Sequence, residues 1–189
     1  MSLAKFKTTT DTEEDINLDN NGVHILMDEI DDTSCKTAME WILKENFKKK
    51  RAKFLTLMIC SYGGSVPSAF ALIDVMKGSS IPVHTRGLGA IGSCGFLIFI
   101  SGEKGHRIIT PNTSILSHQY SWGDYGKYHE LVATRCEQDR MLERMIIHYQ
   151  KCLGLSKKEI TEKLLPAKDI WLSAKEALQL GVCDKVLDL

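Results

Sequence analysis

No CxxC pair occurs in this 189-residue chain, although it carries six cysteines. Cys35, Cys60, Cys94, Cys136, Cys152 and Cys183 stand far apart, so the paired ligands of a structural zinc site are missing. The N-terminus is polar and has no apolar stretch of the secretory kind, so reduced thiols and a cytoplasmic location are expected. Long hydrophobic runs are also lacking. The longest apolar stretch, near residues 90–100, is too short to cross a bilayer. Net charge is absent as well: 24 Lys and Arg balance 24 Asp and Glu, which leaves no global field for nucleic acid or an anionic membrane. The basic run Lys48-Lys49-Lys50-Arg51 reads as a solvated helix end. There is no internal repeat and no low-complexity linker. The composition, 43% hydrophobic and 25% charged, is that of one ordinary globular domain. Residues 1–20 are polar and read as a mobile N-terminal arm, and residues 21–189 as the folded domain.

What is present alternates. Val23-His24-Ile25-Leu26-Met27 reads as a strand. Asp31, Asp32 and Thr33 offer N-caps for a helix to about residue 49, with Ala38, Trp41, Ile42 and Phe47 on its apolar face. The nearly unbroken apolar run 54–60 predicts a strand buried on both sides. Gly63-Gly64 then breaks the chain before a helix over 66–77. Residues 81–86 read as a strand, 87–92 as a turn and 93–101 as a helix. Residues 107–109 and 114–117 read as short strands. A long helix over about 127–151 stops at Gly154. Ser156-Lys157-Lys158-Glu159 and Ser173-Ala174-Lys175-Glu176 are capping boxes, so two more helices open there, and Val186-Leu187 reads as a terminal strand. The pattern predicts an α/β fold of repeated βα units with parallel strands.

Gly87-Leu88-Gly89-Ala90-Ile91-Gly92 matches GxGxxG, the dinucleotide-binding fingerprint. Two βα units precede it, and the acidic residue expected about twenty positions on is missing. Close packing of the glycines is the simpler reading, and no cofactor is expected. Ser93 follows, between glycines at the mouth of a predicted helix. A serine hydroxyl is hardly ionised at neutral pH, so a nucleophilic role requires a base and an orienting acid. His24 reads as a packed core residue; His84, His106, His129 and His148 have surface-like or helical contexts. His118 ends an apolar run at the strand edge where α/β folds gather active residues. Asp169 precedes the helix capped by Ser173. Singly, each has a bland reading as a packing or capping residue. Jointly, they fit a serine hydrolase.

The order serine, histidine, aspartate differs from that of α/β-hydrolases. From about Val23 to the C-terminus the chain resembles the ClpP family, the proteolytic subunit of the Clp ATP-dependent protease. Gly63-Gly64-Ser65-Val66 and Gly92-Ser93-Cys94-Gly95 carry the resemblance. So do Gly102-Glu103-Lys104-Gly105-His106-Arg107, Pro111-Asn112 and Ser117-His118-Gln119. The run from Asp169 to Ala177, with Gly181 and Asp184, completes it. The resemblance implies a crotonase-like fold with a protruding strand–long helix handle. It implies a Ser93–His118–Asp169 triad and an oxyanion hole from the N–H groups of Gly64 and Cys94. It further implies an extended substrate strand held by Gly63 and Ser65 on one side and by Tyr120 and Ser121 on the other. Two stacked heptameric rings, fourteen subunits, would enclose a chamber fed with unfolded polypeptide by an AAA+ Clp ATPase. No nucleic acid, membrane or metal enters the scheme.

Tyr62, Cys94 and Tyr120 depart from that family's proline, methionine and proline, and residues 1–20 show no match to its axial loops. These mark a divergent member. A silent structural ring subunit, an acyl-CoA enzyme of crotonase fold and a viral capsid-maturation protease are the competing readings.

Overall fold

A computed structural model describes residues 22–187; the arm expected at 1–20 lies outside that range. The chain runs β1 (Val23–Leu26), α1 (Asp32–Phe47), β2 (Leu55–Ser61), α2 (Val66–Gly78), β3 (Val83–Gly92) and α3 (Cys94–Ile100). It continues β4 (Arg107–Ile109), β5 (Ser114–Ser117), α4 (Tyr128–Leu153), α5 (Lys157–Lys163), β6 (Ile170–Leu172), α6 (Ala174–Gln179) and β7 (Lys185–Val186). Strands β1, β2, β3, β4 and β7 lie side by side in that order, all parallel.

Strand β3 forks. Its first half, Thr85–Gly87, pairs with β4, and its second half, Ala90–Gly92, pairs with β5. The turn expected over 87–92 is therefore strand, which removes GxGxxG from the strand-to-helix turn that phosphate binding needs. The glycines serve close approach: a Cβ at Gly92 would lie 2.9 Å from the Tyr62 carbonyl oxygen.

Local signals fix the helices. Asp31 and Ser34 form a capping box on α1, Ser65 caps α2, and boxes at Ser156 and Ser173 open α5 and α6. Gly154, at φ 72°, closes α4. Phe47 is 84% exposed, contrary to the expected apolar face. At 100° per residue it lies opposite Ala38, and the buried stripe runs through Ala38, Trp41, Ile42 and Glu45. Helix α3 is buried on every side, with Phe96, Leu97, Ile98 and Phe99 at the centre of the core. In α4 the buried residues are Met145, Ile146, His148 and Tyr149, all in its last third.

Arg107 and Asp184 pin the C-terminal segment to β4. The guanidinium donates to both carboxylate oxygens, at 2.6 and 2.9 Å, and also to the Cys152 and Gly181 carbonyls. His84 is buried rather than surface-like, stacked between Phe54 and His106 at ring distances of 4.4 and 3.9 Å. His148 is also buried, with Nε2 3.1 Å from the Leu97 carbonyl oxygen. His24 stacks on Trp41. Among the described residues no helix is long and apolar enough to cross a membrane.

Candidate active site

Ser93 caps α3 at the C-terminal end of β3, where parallel sheets collect functional groups. Its φ of 52° is the only positive value at a non-glycine among the described residues. A serine in this conformation holds about 1–3 kcal/mol of strain, which persists only where the surroundings enforce it. Here the enforcement is visible. The Ser93 N–H donates to the Leu116 carbonyl at 3.0 Å, and its own carbonyl accepts from Phe96 and Leu97.

The double-glycine turn lies directly against the serine. A Cβ on Gly63 would fall 2.6 Å from the Ser93 Cβ and 3.0 Å from the Cys94 nitrogen. Ile30 clamps the turn from behind: its N–H donates to the Gly63 carbonyl at 2.9 Å, and its carbonyl accepts from the Ser65 N–H at 2.6 Å. In extended backbone the groups of one residue face opposite to those of its neighbours, so Gly64 presents its N–H and C=O away from Ile30. Its carbonyl does meet the Cys94 thiol, at 3.1 Å. The Cys94 N–H belongs to the first turn of α3, where no intrahelical acceptor exists. The Gly64 N–H thus faces away from Ile30, and the Cys94 N–H stands next to Ser93 at the start of α3.

His118 follows β5 and is half-buried. Its neighbours are anchored: the Ser117 hydroxyl donates to the Leu164 carbonyl at 2.7 Å, and the Gln119 amide donates to Leu165 at 3.0 Å. The ring Nδ1 lies 2.6 Å from the Gln119 carbonyl oxygen. A carbonyl only accepts, so Nδ1 carries the hydrogen and the neutral ring keeps a lone pair on Nε2.

Strand β6, absent from the sequence reading, explains the place of Asp169. It runs antiparallel to β5, pairing Ile115, Leu116 and Ser117 with Leu172, Trp171 and Ile170. The register ends at Ser117 and Ile170, so His118 directly follows the last pair on one strand and Asp169 directly precedes it on the other. Leu116 and Trp171 are register partners and share a face of the sheet, and Trp171 is 54% exposed. The exposed aromatic in a short alternating run was the available signal for β6. Among the described residues no hydrogen bond joins Ser93 to His118, or His118 to Asp169; the sheet brings their backbones to one end without closing that chain. Tyr120 turns its side chain onto α4, where the phenol donates to the Gln138 side-chain oxygen at 2.7 Å. Ser121 is exposed in an irregular stretch. No group of three or more His, Cys, Asp or Glu among the described residues is placed to hold a metal ion.

Ser93, His118 and Asp169 thus stand at one end of the sheet, at the ends of β3, β5 and β6, with Ser93 at positive φ. A family model described as Clp protease matches residues 10–189, and the chain belongs to that family. Its mixed α/β architecture agrees with that membership, which supports a peptidase of the ClpP type.

Proposed function

We propose that this chain is a serine endopeptidase subunit with Ser93 as nucleophile, His118 as general base and Asp169 as the group that orients the imidazole. The observation that supports this reading is the topology: Ser93 follows β3, His118 follows the parallel β5, and Asp169 precedes the antiparallel β6, so the three come to one end of the sheet, with Ser93 at positive φ. His118 Nε2 takes the hydroxyl proton as Ser93 Oγ attacks the peptide carbonyl. The N–H groups of Gly64 and Cys94 stabilise the developing oxyanion. His118 then protonates the leaving amine, and water releases the acyl-enzyme by the same steps in reverse.

Substrate binds as an added strand between Gly63–Ser65 and the segment 120–126, through main-chain bonds that accept many sequences. Tyr120 and Ser121 contribute backbone there. The largely exposed first two-thirds of α4 supports a handle role in a crotonase-like fold, and with it two stacked heptameric rings fed by an AAA+ ATPase. The Gln119 carbonyl holds the His118 nitrogen that Asp169 needs, which favours a second reading: a silent ring subunit.

Labelling with a fluorophosphonate decides between them. The assembled parent is expected to label and to cleave unfolded polypeptide. Ser93→Ala and His118→Ala each lose roughly 10³-fold or more of that activity. An assembled parent that never labels refutes the peptidase reading, and a monomer by light scattering that cleaves fully refutes the chamber.

A further inference from the structure

The two ends of α1 have no part in the scheme above. The chain's charges cancel in number but not in place. Asp28, Glu29, Asp31 and Asp32 are all exposed where the chain leaves β1 and enters α1. Lys49, Lys50, Arg51 and Lys53 are exposed just beyond the other end of the helix. Among the described residues none of these eight side chains enters an ion pair, although Lys36, Lys44 and Lys48 find Glu40 and Glu45 on the helix itself. Each end also carries exposed apolar side chains. Leu43 and Phe47 line an open cleft with Lys44 and Lys48, and Phe47 is 84% exposed. Ile25 lines a second cleft with Asp28 and Glu29, and Met27 close by is 67% exposed. The helix dipole favours acids in the first turn and bases in the last, which accounts for Asp32 and Lys44. It does not account for an exposed phenylalanine and methionine, nor for charges beyond the helix.

Sixteen residues at 1.5 Å apiece set the two ends about 24 Å apart, so they cannot serve each other within one chain. They do match from one chain to the next. We infer that the ends of α1 are the two halves of a head-to-tail contact between copies of this chain. Leu43 and Phe47 of one copy pack on Ile25 and Met27 of the next, and the basic run 49–53 faces the acids 28–32 of that copy. Unlike patches on one subunit make a heterologous contact, which propagates in one direction and closes into a ring where the rotation permits. Strand β1 is the outermost of its sheet, so no further strand stands between the acidic loop and a neighbour. Apolar side chains form the centre of such a contact, while the charges fix its register and speed the encounter. The inference rests on the ring part of the reading above and is independent of the peptidase chemistry.

The test follows assembly by light scattering and sedimentation against protein concentration, at low and high salt. The parent is compared with Lys49→Glu/Lys50→Glu, with Asp28→Lys/Glu29→Lys, with all four changes in one chain, and with Phe47→Ser. Each double variant sets like charges against each other and is expected to raise the half-assembly concentration at least tenfold at low salt. The fourfold variant restores opposite charges at every contact and is expected to return within threefold of the parent. The gap between parent and double variants narrows at high salt, because screening shortens the reach of these charges to a few ångströms. Phe47→Ser is expected to weaken assembly at least tenfold at either salt. All the altered side chains are exposed, so urea midpoints stay parental and separate lost contact from lost fold. Parental assembly in both double variants and in Phe47→Ser overturns the inference and leaves the ring reading standing. A fourfold variant no better than either double also overturns it. A parent that stays monomeric at every concentration overturns the ring reading and this contact together, and fluorophosphonate labelling of that monomer reports on the chemistry alone.

Discussion

Gly63→Ala is the sharpest probe of how tightly the serine is held. Two costs add at this position. At φ +112° an alanine is strained by about 1–3 kcal/mol. Its Cβ would also lie 2.6 Å from the Ser93 Cβ and 3.0 Å from both the Cys94 nitrogen and the Gly92 carbonyl oxygen. None of these is the far end of a flexible side chain, so relief requires the backbone around Ser93 to move, an overpacking cost of about 1–3 kcal/mol. Together these remove about 2–6 kcal/mol from a domain whose whole stability is about 5–15 kcal/mol. Gly105→Ala supplies the reference, because Gly105 has φ +89° and nothing within 4 Å of the added carbon. The difference between the two variants in urea unfolding isolates the contact with Ser93. If the nucleophile shifts by about 1 Å, the labelling rate with fluorophosphonate falls roughly 10²-fold in Gly63→Ala and stays parental in Gly105→Ala. Equal unfolding midpoints and equal labelling rates in the two variants would refute the reasoning.

Three other outcomes are expected. Ser93→Gly removes the strain at φ 52° and should raise the unfolding free energy by about 1 kcal/mol while abolishing labelling; a lower midpoint contradicts the strain argument. Arg107→Met leaves Asp184 without its buried partner and should cost about 3–5 kcal/mol in denaturant unfolding. Burial pushes the Asp184 carboxyl up, but the hydrogen bonds and charge of Arg107 outweigh it and hold the carboxyl below its ordinary value. Stability from that pair is full above the unfolded carboxylate range and lost as pH falls through the folded value, so the variant should show a flatter acid limb. His84 is pushed down from 6.5 to about 4 by burial, then by the charges of His106 and Arg86. The unfolded chain therefore binds that proton first, and stability falls between pH 6.5 and about 4; His84→Phe should flatten this stretch of the pH profile while keeping the stack.

The legible parts of the sequence were those with strong local physics. Capping boxes at Ser156 and Ser173, Gly154 beyond α4 and the apolar run of β2 each state their structure within a few residues. The less legible parts depend on distant partners. Residues 87–92 look like a turn because glycines weaken a strand, yet β3 continues through them to serve both β4 and β5. Three-residue β6 has too few positions to show a period, and its existence depends on pairing with β5. Phe47 suggested an inward face on composition, and its angular position places it in solvent. For the candidate site, Ser93 and His118 stood out by their contexts, whereas the topology that brings Asp169 to the same sheet end depends on β6 and its pairing with β5. The thiol of Cys94 against Gly64 had no sequence signal, since sulfur-to-carbonyl contact follows from tertiary approach.

The clamp at Ile30 offers a gauge of the site that requires neither substrate nor inhibitor. Its amide is buried and engaged with the Gly63 carbonyl, so deuterium enters there only when the glycine turn lifts away from the loop after β1. The uptake rate of that single amide measures how often the serine's neighbourhood comes apart at rest.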